Sequence, residues 1–166
     1  MLRDRRVSGT AGAPGGSPDL ATFSWTGGST FAEDFGDPTT STEYNLCIYA
    51  AGRGTIASAH YAAGATCDDG QPCWHSGIGG FKYRTSNHTP ANKRARSFSK
   101  LTLQAFPDGR AKMQAKRIGV IFPYQMLPAS LPAIAQIKSS DGQCWQASFD
   151  EFVSKNDERS FIGSAD

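Results

Sequence analysis

Residues 99–117 read SKLTLQAFPDGRAKMQAKR and contain the most regular pattern in the chain. Two runs in which apolar and polar residues alternate flank the turn sequence Pro107-Asp108-Gly109, a pattern typical of a β-hairpin. If Phe106 pairs with Arg110 across a three-residue loop, apolar residues face apolar residues throughout, whereas a shift by one residue mixes the two faces. Gly109 then takes the left-handed conformation that such loops favour. The predicted pairs are Leu101–Ala115, Leu103–Met113 and Ala105–Ala111 on the apolar face, and Lys100–Lys116, Thr102–Gln114 and Gln104–Lys112 on the polar face.

The rest of the chain shows the same period of two. Alternation is clear in residues 21–25, 44–50 and 133–138, and turn sequences containing glycine or aspartate separate the runs. Short alternating runs at this spacing are typical of antiparallel sandwiches. We therefore expect an all-β protein, an antiparallel β-sandwich of eight to nine short strands that is immunoglobulin-like or jelly-roll-like. Residues 1–18 are rich in Gly, Ala, Ser and Pro and are expected to form a flexible leader, with a single sandwich domain over residues 19–166.

The composition excludes several classes of protein. The chain has 166 residues, enough for one domain with its own core, and its formal net charge of +2 excludes a histone-like polyelectrolyte. No apolar run approaches the ~18 residues of a membrane-spanning helix, so no membrane span is expected. The sequence contains no HExxH, P-loop or GxSxG motif. No catalytic residue and no cofactor is therefore predicted.

The four cysteines predict a compartment and a pairing. An even number of cysteines in a small, glycine-rich chain favours disulfides and an oxidising, secreted or cell-surface location. Cys47 and Cys144 both fall on the outward side of their strands, so they can bridge if the two strands are neighbours. Cys67 and Cys73 would close a short loop. The N-terminal residues lack the apolar segment of a secretion signal, so an intracellular protein with reduced cysteines is the alternative.

Metal binding is the competing interpretation of the same region. Cys67, Cys73 and His75 are close in sequence, and His60 could supply a fourth ligand of a small metal-binding protein or metalloenzyme. The spacing is not one of the common zinc spacings, so a disulfide with a surface histidine is preferred. Two acidic pairs, Asp34/Asp37 and Asp68/Asp69, could hold calcium, although aspartates in turns more often hydrogen-bond their own backbone.

The distribution of charge along the chain predicts a basic face. Residues 82–117 contain ten Lys and Arg residues but one acid, Asp108. The hairpin places Lys100, Lys112, Lys116 and Arg110 on one solvent-exposed face. This face is either a solvated surface with lysines guarding an edge or a binding site for an anionic polymer or an acidic protein surface. Nucleic acid is not expected, because no motif combining aromatic and basic residues is present.

Trp74 is the candidate for carbohydrate binding. It follows Cys73 at the end of the short cysteine loop and lies close in sequence to Phe81 and Tyr83. A partly exposed indole there could stack on a sugar ring. The alternative is a core residue, as we predict for Trp145.

A set of short motifs resembles an uncharacterised group of bacterial exported proteins. The set covers roughly residues 20–166 and consists of FGDP (35–38), YxLCxY (44–49), CW (73–74), GGFKY (79–83), DGxAK (108–112) and CWxA (144–147). The resemblance implies export and a disulfide-bonded β domain, but no known activity. The chain is then expected to be the C-terminal part of a longer protein. Together these observations predict a non-catalytic exported module with a binding or structural role.

Overall fold

The computed structural model describes residues 5–10, 20–87, 97–118, 127–158 and 160–165. These residues form twelve strands and one 3-10 helix, Ala32–Phe35. The strands are β1 (Arg5–Thr10), β2 (Leu20–Gly28), β3 (Tyr44–Ala50), β4 (Gly54–Tyr61), β5 (Trp74–Gly77), β6 (Gly80–Asn87), β7 (Ser97–Ala105), β8 (Arg110–Ile118), β9 (Ala133–Ser139), β10 (Cys144–Phe149), β11 (Phe152–Asn156) and β12 (Ser160–Ala165).

The strands form two sheets that enclose one apolar core. The larger sheet has eight strands in the order β11-β12-β1-β2-β8-β7-β6-β5, and the smaller has four in the order β10-β9-β3-β4. All neighbouring strands in the described residues are antiparallel. The predicted all-β, antiparallel sandwich is therefore confirmed, while its immunoglobulin-like or jelly-roll-like type stays a prediction.

The hairpin has the predicted register. All six predicted pairs between β7 and β8 are present, and the backbone N–H of Phe106 donates to the carbonyl of Arg110 at 2.8 Å. Leu101, Leu103 and Met113 on the predicted apolar side are buried. Gly109 has a φ of 77°, the left-handed conformation expected of it. The alternation of apolar residues thus determined both the pairing and the turn.

Replacing Gly109 with valine should destabilise the protein by about 1 kcal/mol or more. A β-branched residue resists a positive φ, so the loop must either strain or change its conformation. A steric clash is not the cause of the expected loss, because the nearest atoms to an added Cβ are those of the Phe31 ring at 3.8 Å. Urea unfolding should show a lower midpoint for Gly109→Val and a near-normal midpoint for Gly109→Asn, since asparagine tolerates this conformation. Equal midpoints for valine and glycine would contradict the assignment.

Both end regions of the sequence form strands that the sequence analysis did not predict. Residues 5–10 form β1, which lies between β2 and β12 in the larger sheet. The prediction of a flexible leader over residues 1–18 is therefore wrong for residues 5–10, and the rest of that segment lies outside the described residues. The additional strands β11 and β12 raise the number of strands above the predicted eight to nine. β12 completes the core through Phe161 and through Gly163, whose Cα faces the Phe149 side chain of β10.

Candidate binding face

Three cations lie side by side across the outer face of the larger sheet. Arg84 of β6 is directly opposite Lys100 of β7, and Lys100 is directly opposite Lys116 of β8. We call Arg84, Lys100 and Lys116 the basic row. Side chains directly opposite one another have Cβ atoms about 4.5–5.5 Å apart, so three like charges are concentrated on three adjacent strands. Within the described residues, neither Lys100 nor Lys116 has a carboxylate within ion-pair distance.

A hydrogen bond from the smaller sheet supports the backbone of the basic row. The hydroxyl of Tyr61, at the end of β4, donates to the backbone carbonyl of Lys100 at 3.3 Å. Tyr61 is fully buried, and this burial raises the pKa of its hydroxyl, so it stays a hydrogen-bond donor. Arg117, the next residue after Lys116, belongs to the opposite face and donates from Nη1 to the Ser99 hydroxyl at 3.3 Å. The alternation of the strand thus separates the basic row from its cationic neighbour.

Two cavities adjoin the basic row, and Lys100 lines both. The first, of about 680 Å³, is lined by six uncharged polar residues, by Lys100 and Lys116, and by apolar groups that include Ile162, and we call it the hydroxyl cavity. Its uncharged polar members are Ser8, Thr22, Ser24, Gln114, Ser154 and Ser164. The second, of about 950 Å³, lies beside the Cys67–Cys73 loop and contains both Asp68 and Asp69. The charged residues that line the hydroxyl cavity are therefore both lysines, whereas the second cavity has charges of both signs.

The structure divides the predicted basic face. Lys100 and Lys116 lie together as predicted, but Lys112 is opposite Gln104 and Thr26 and lies outside the lining of both cavities. Arg110 donates from Nε to the Asp108 carboxylate at 2.6 Å. Hydrogen bonds from the Arg110 backbone and then its side chain lower the pKa of Asp108. Arg110 is thus locally neutralised, and the positive charge is concentrated around Lys100.

Two cations were missing from the predicted binding set. Arg84 is part of the basic row, and Lys82 lies on the same face, directly opposite Thr102 of β7 and His75 of β5. Lys82 and Arg84 are two residues apart in a strand, so the sequence alone predicts that both side chains are on the same, solvent-exposed face. Assigning them to this site also needed the pairing of β6 with β7, and the nine residues between these strands do not fix a register as a short turn does.

The proposed role of Trp74 in stacking on a sugar is wrong. Trp74 is 3% exposed, and its indole N–H donates to the carbonyl of Ala62 at 2.8 Å. Its ring packs against Tyr83 and Tyr44, with centroid separations of 5.0 and 5.9 Å. The indole therefore joins the edge of the larger sheet to the core, and protein atoms cover almost all of its ring. Trp145 is buried as predicted.

One of the two predicted disulfides is present. Cys67 and Cys73 are bonded, with their Cα atoms 5.1 Å apart. Cys47 and Cys144 are free, and the prediction of a bond between them is wrong. Both point outward as expected, but β9 lies between their strands, so they are not neighbours. Instead, a hydrogen bond between Cys47 and the Tyr49 hydroxyl is the largest contribution that raises the pKa of Tyr49.

The residues of the metal-binding alternative do not come together. The disulfide consumes the thiols of Cys67 and Cys73. His75 lies on the outer face of the larger sheet, whereas His60 belongs to the smaller sheet and is 3.3 Å from the Glu43 carboxylate. Across the described parts of the chain, no three His, Cys, Asp or Glu residues are grouped as metal ligands.

The aspartates considered for calcium stabilise their own turns. Asp37 accepts hydrogen bonds from the backbone and hydroxyl of Thr39 and from the hydroxyl of Thr40. The hydroxyl bonds from Thr39 and Thr40 are the main reason that the pKa of Asp37 is lowered. Asp34 accepts from the Phe31 N–H, and Asp69 accepts from the Gln71 N–H. These contacts are those of aspartates in turns.

Comparison of the chain with models of protein families, with curated proteins and with solved structures finds no match. In the segments that the structure describes, no helix has the length and hydropathy that crossing a membrane requires.

Proposed function

We propose that this protein is a non-catalytic, exported or cell-surface module that binds an anionic ligand on the outer face of its larger sheet. The observation that supports this proposal is the basic row. Like charges directly opposite one another destabilise a sheet, and Lys100 and Lys116 face each other without a carboxylate partner within ion-pair distance among the described residues. An anionic ligand would offset this repulsion.

The local field is stronger than the net charge suggests. The formal net charge of +2 is the difference between 17 cations and 15 acids, but the basic row holds three cations within two interstrand spacings. Lys100 and Lys116 are also partly buried, which limits screening of their charges by water. A groove with charge of one sign raises the local concentration of an oppositely charged ligand.

The disulfide supports the proposed location. The bond between Cys67 and Cys73 is of the kind that persists in oxidising compartments and is rare in the cytosol. It closes the loop that borders the groove beside Lys82 and Arg84. An oxidising compartment would therefore also favour binding, because reduction of this bond would loosen one wall of the proposed site.

Removing the charges of Lys100 and Lys116 should weaken retention on an acidic matrix. An ion pair that water still reaches contributes ~0.2–1 kcal/mol, so the loss of two in Lys100→Gln/Lys116→Gln should lower the affinity by about two- to thirtyfold. The matched control is Lys112→Gln/Lys138→Gln, because both double variants reduce the formal net charge from +2 to 0 and Lys112 and Lys138 are exposed elsewhere. Elution from a carboxylated resin in a salt gradient measures the difference.

Salt should remove binding of the parent protein, since the Debye length falls to ~8 Å at physiological ionic strength and ~3 Å at 1 M. Equal elution of the two double variants would show that retention depends on total charge alone, which would contradict the proposal. Near-parental thermal unfolding of both variants would show that the lysines do not act through the fold.

A further inference from the structure

We infer that the ligand is an acidic polysaccharide, with its acidic groups on the basic row and its neighbouring hydroxyl groups in the hydroxyl cavity. This inference rests on the proposed function and specifies its ligand. It is drawn from the lining of the hydroxyl cavity, which is chemically unlike the basic row although the two share Lys100 and Lys116.

The hydroxyl cavity offers neutral groups that both donate and accept hydrogen bonds. Ser24 and Gln114 lie directly opposite each other on β2 and β8, beside the pair formed by Thr22 and Lys116. Across the described residues, neither Ser24 nor Gln114 uses its side chain in a hydrogen bond to another protein group. Sugar hydroxyls also donate and accept, so a saccharide can satisfy both side chains, whereas a phosphate or carboxylate group can only accept.

The far wall of the hydroxyl cavity carries an exposed apolar side chain, Ile162. Ile162 of β12 is 44% exposed there and lies directly opposite Ser8 of β1. Ser8 and Thr22 hydrogen-bond to each other through their hydroxyls, which joins this wall to the strand beside Lys116. Saccharides carry C–H groups as well as hydroxyls, and an exposed aliphatic side chain gives those groups a surface to pack against.

The dimensions favour a chain over a single small anion. From Ile162 to Lys100 the outer face crosses β12, β1, β2, β8 and β7, which is four interstrand spacings of about 4.8 Å. A free phosphate or sulfate would occupy a small part of this distance. Single-stranded nucleic acid is disfavoured because its bases stack on exposed aromatic rings, and Phe23, the one aromatic residue among the described residues that line the hydroxyl cavity, has a fully buried side chain.

The experiment compares three anions that each carry about one charge per monomer at neutral pH, namely a polyuronate, polyphosphate and polyglutamate, by calorimetric titration of the intact chain at equal concentrations of charged groups. We expect the parent protein to bind the polyuronate most tightly. Ser24→Ala/Gln114→Ala should weaken polyuronate binding about fivefold or more, as expected for the loss of two hydrogen bonds, and should leave polyphosphate binding within about twofold. Lys100→Gln/Lys116→Gln should weaken binding of all three anions.

A matched control tests whether the hydroxyl cavity is responsible. Gln146→Ala/Ser148→Ala removes one amide and one hydroxyl from exposed positions of β10 in the smaller sheet, and it should leave polyuronate binding unchanged. Circular dichroism and thermal unfolding show whether each variant retains the fold of the parent protein.

The outcomes separate the two proposals. If Ser24→Ala/Gln114→Ala binds the polyuronate as the parent does, or loses affinity equally for all three anions, the polysaccharide inference is wrong while the anionic site stands. Tighter binding of polyphosphate or polyglutamate by the parent protein would overturn the inference in favour of a phosphate polymer or an acidic peptide. If Lys100→Gln/Lys116→Gln binds every anion as the parent does, the proposed function and the inference both fail.

Discussion

Replacing Trp145 with alanine should destabilise the protein by about 3–5 kcal/mol, the range found when a large aromatic side chain is removed from a core. Trp145 of β10 is 7% exposed and lies between the two sheets. Its ring is stacked on Tyr44 with a centroid separation of 6.4 Å and lies 5.9 Å from the Phe35 ring. The substitution therefore leaves a cavity at the point where β3, β10 and the 3-10 helix meet.

A hydrogen bond adds to this loss. The indole N–H of Trp145 donates to the hydroxyl of Thr30 at 3.1 Å, and Thr30 is 4% exposed. A buried polar group that loses its partner costs about 1–3 kcal/mol. Trp145→Phe separates the two contributions, because it keeps an aromatic ring but removes the N–H, and it should cost less than Trp145→Ala.

Unfolding in urea, followed by circular dichroism, measures both variants. The slope of the free energy against urea should stay near that of the parent, since the change is one of stability and not of the surface exposed on unfolding. A loss below about 1 kcal/mol for Trp145→Ala would show that Trp145 does not pack as described.

The hairpin could be predicted from the sequence because its information is local. The turn Pro107-Asp108-Gly109 fixes which residues are opposite, and the apolar alternation on both sides agrees with that register. Neither feature depends on the rest of the chain. The alternation noted in residues 21–25 and 44–50 likewise agrees with the burial of Phe23 and Leu46, since a period of two determines the face of a strand whatever its neighbours are.

Strand neighbours could not be predicted in the same way. The bond between Cys47 and Cys144 was expected because both side chains point outward, and they do. The alternation does not reveal that β9 inserts between β3 and β10. β9 pairs with both of those strands, and its pairing with β3 joins segments about ninety residues apart in sequence.

Prediction of the binding site was limited in the same way, because it also depends on which strands are neighbours. Lys100 and Lys116 were brought together by the hairpin, but the position of Arg84 beside Lys100 depends on the pairing of β6 with β7. The hydroxyl cavity requires β1 and β12, which meet from opposite ends of the chain. Residues 5–10 carry few apolar side chains, so composition predicted a leader where the structure has a central strand of the larger sheet.

Gly80→Ala should destabilise the protein by about 1–3 kcal/mol or more, the usual cost of forcing an extra group into tightly packed surroundings, whereas Gly77→Ala should change the stability by less than about 0.5 kcal/mol. The two glycines are directly opposite each other on β6 and β5. A Cβ on Gly80 would overlap the carbonyl oxygen of Leu103 and lie 2.8 Å from its carbonyl carbon, but a Cβ on Gly77 would have no atom within 4 Å.

The large expected difference follows from what must move. The atoms that face Gly80 belong to the backbone of β7, so the clash cannot be relieved by rotating a side chain. β6 has to shift away from β7, which also separates Arg84 from Lys100 in the basic row.

Parallel urea titrations of the two alanine variants and retention of each on the carboxylated resin measure both effects. If the two variants are equally stable, the close approach of β6 to β7 is incorrect. If Gly80→Ala is unstable but is retained like the parent under native conditions, the placement of Arg84 does not matter for binding, and Lys100 and Lys116 alone form the anionic site.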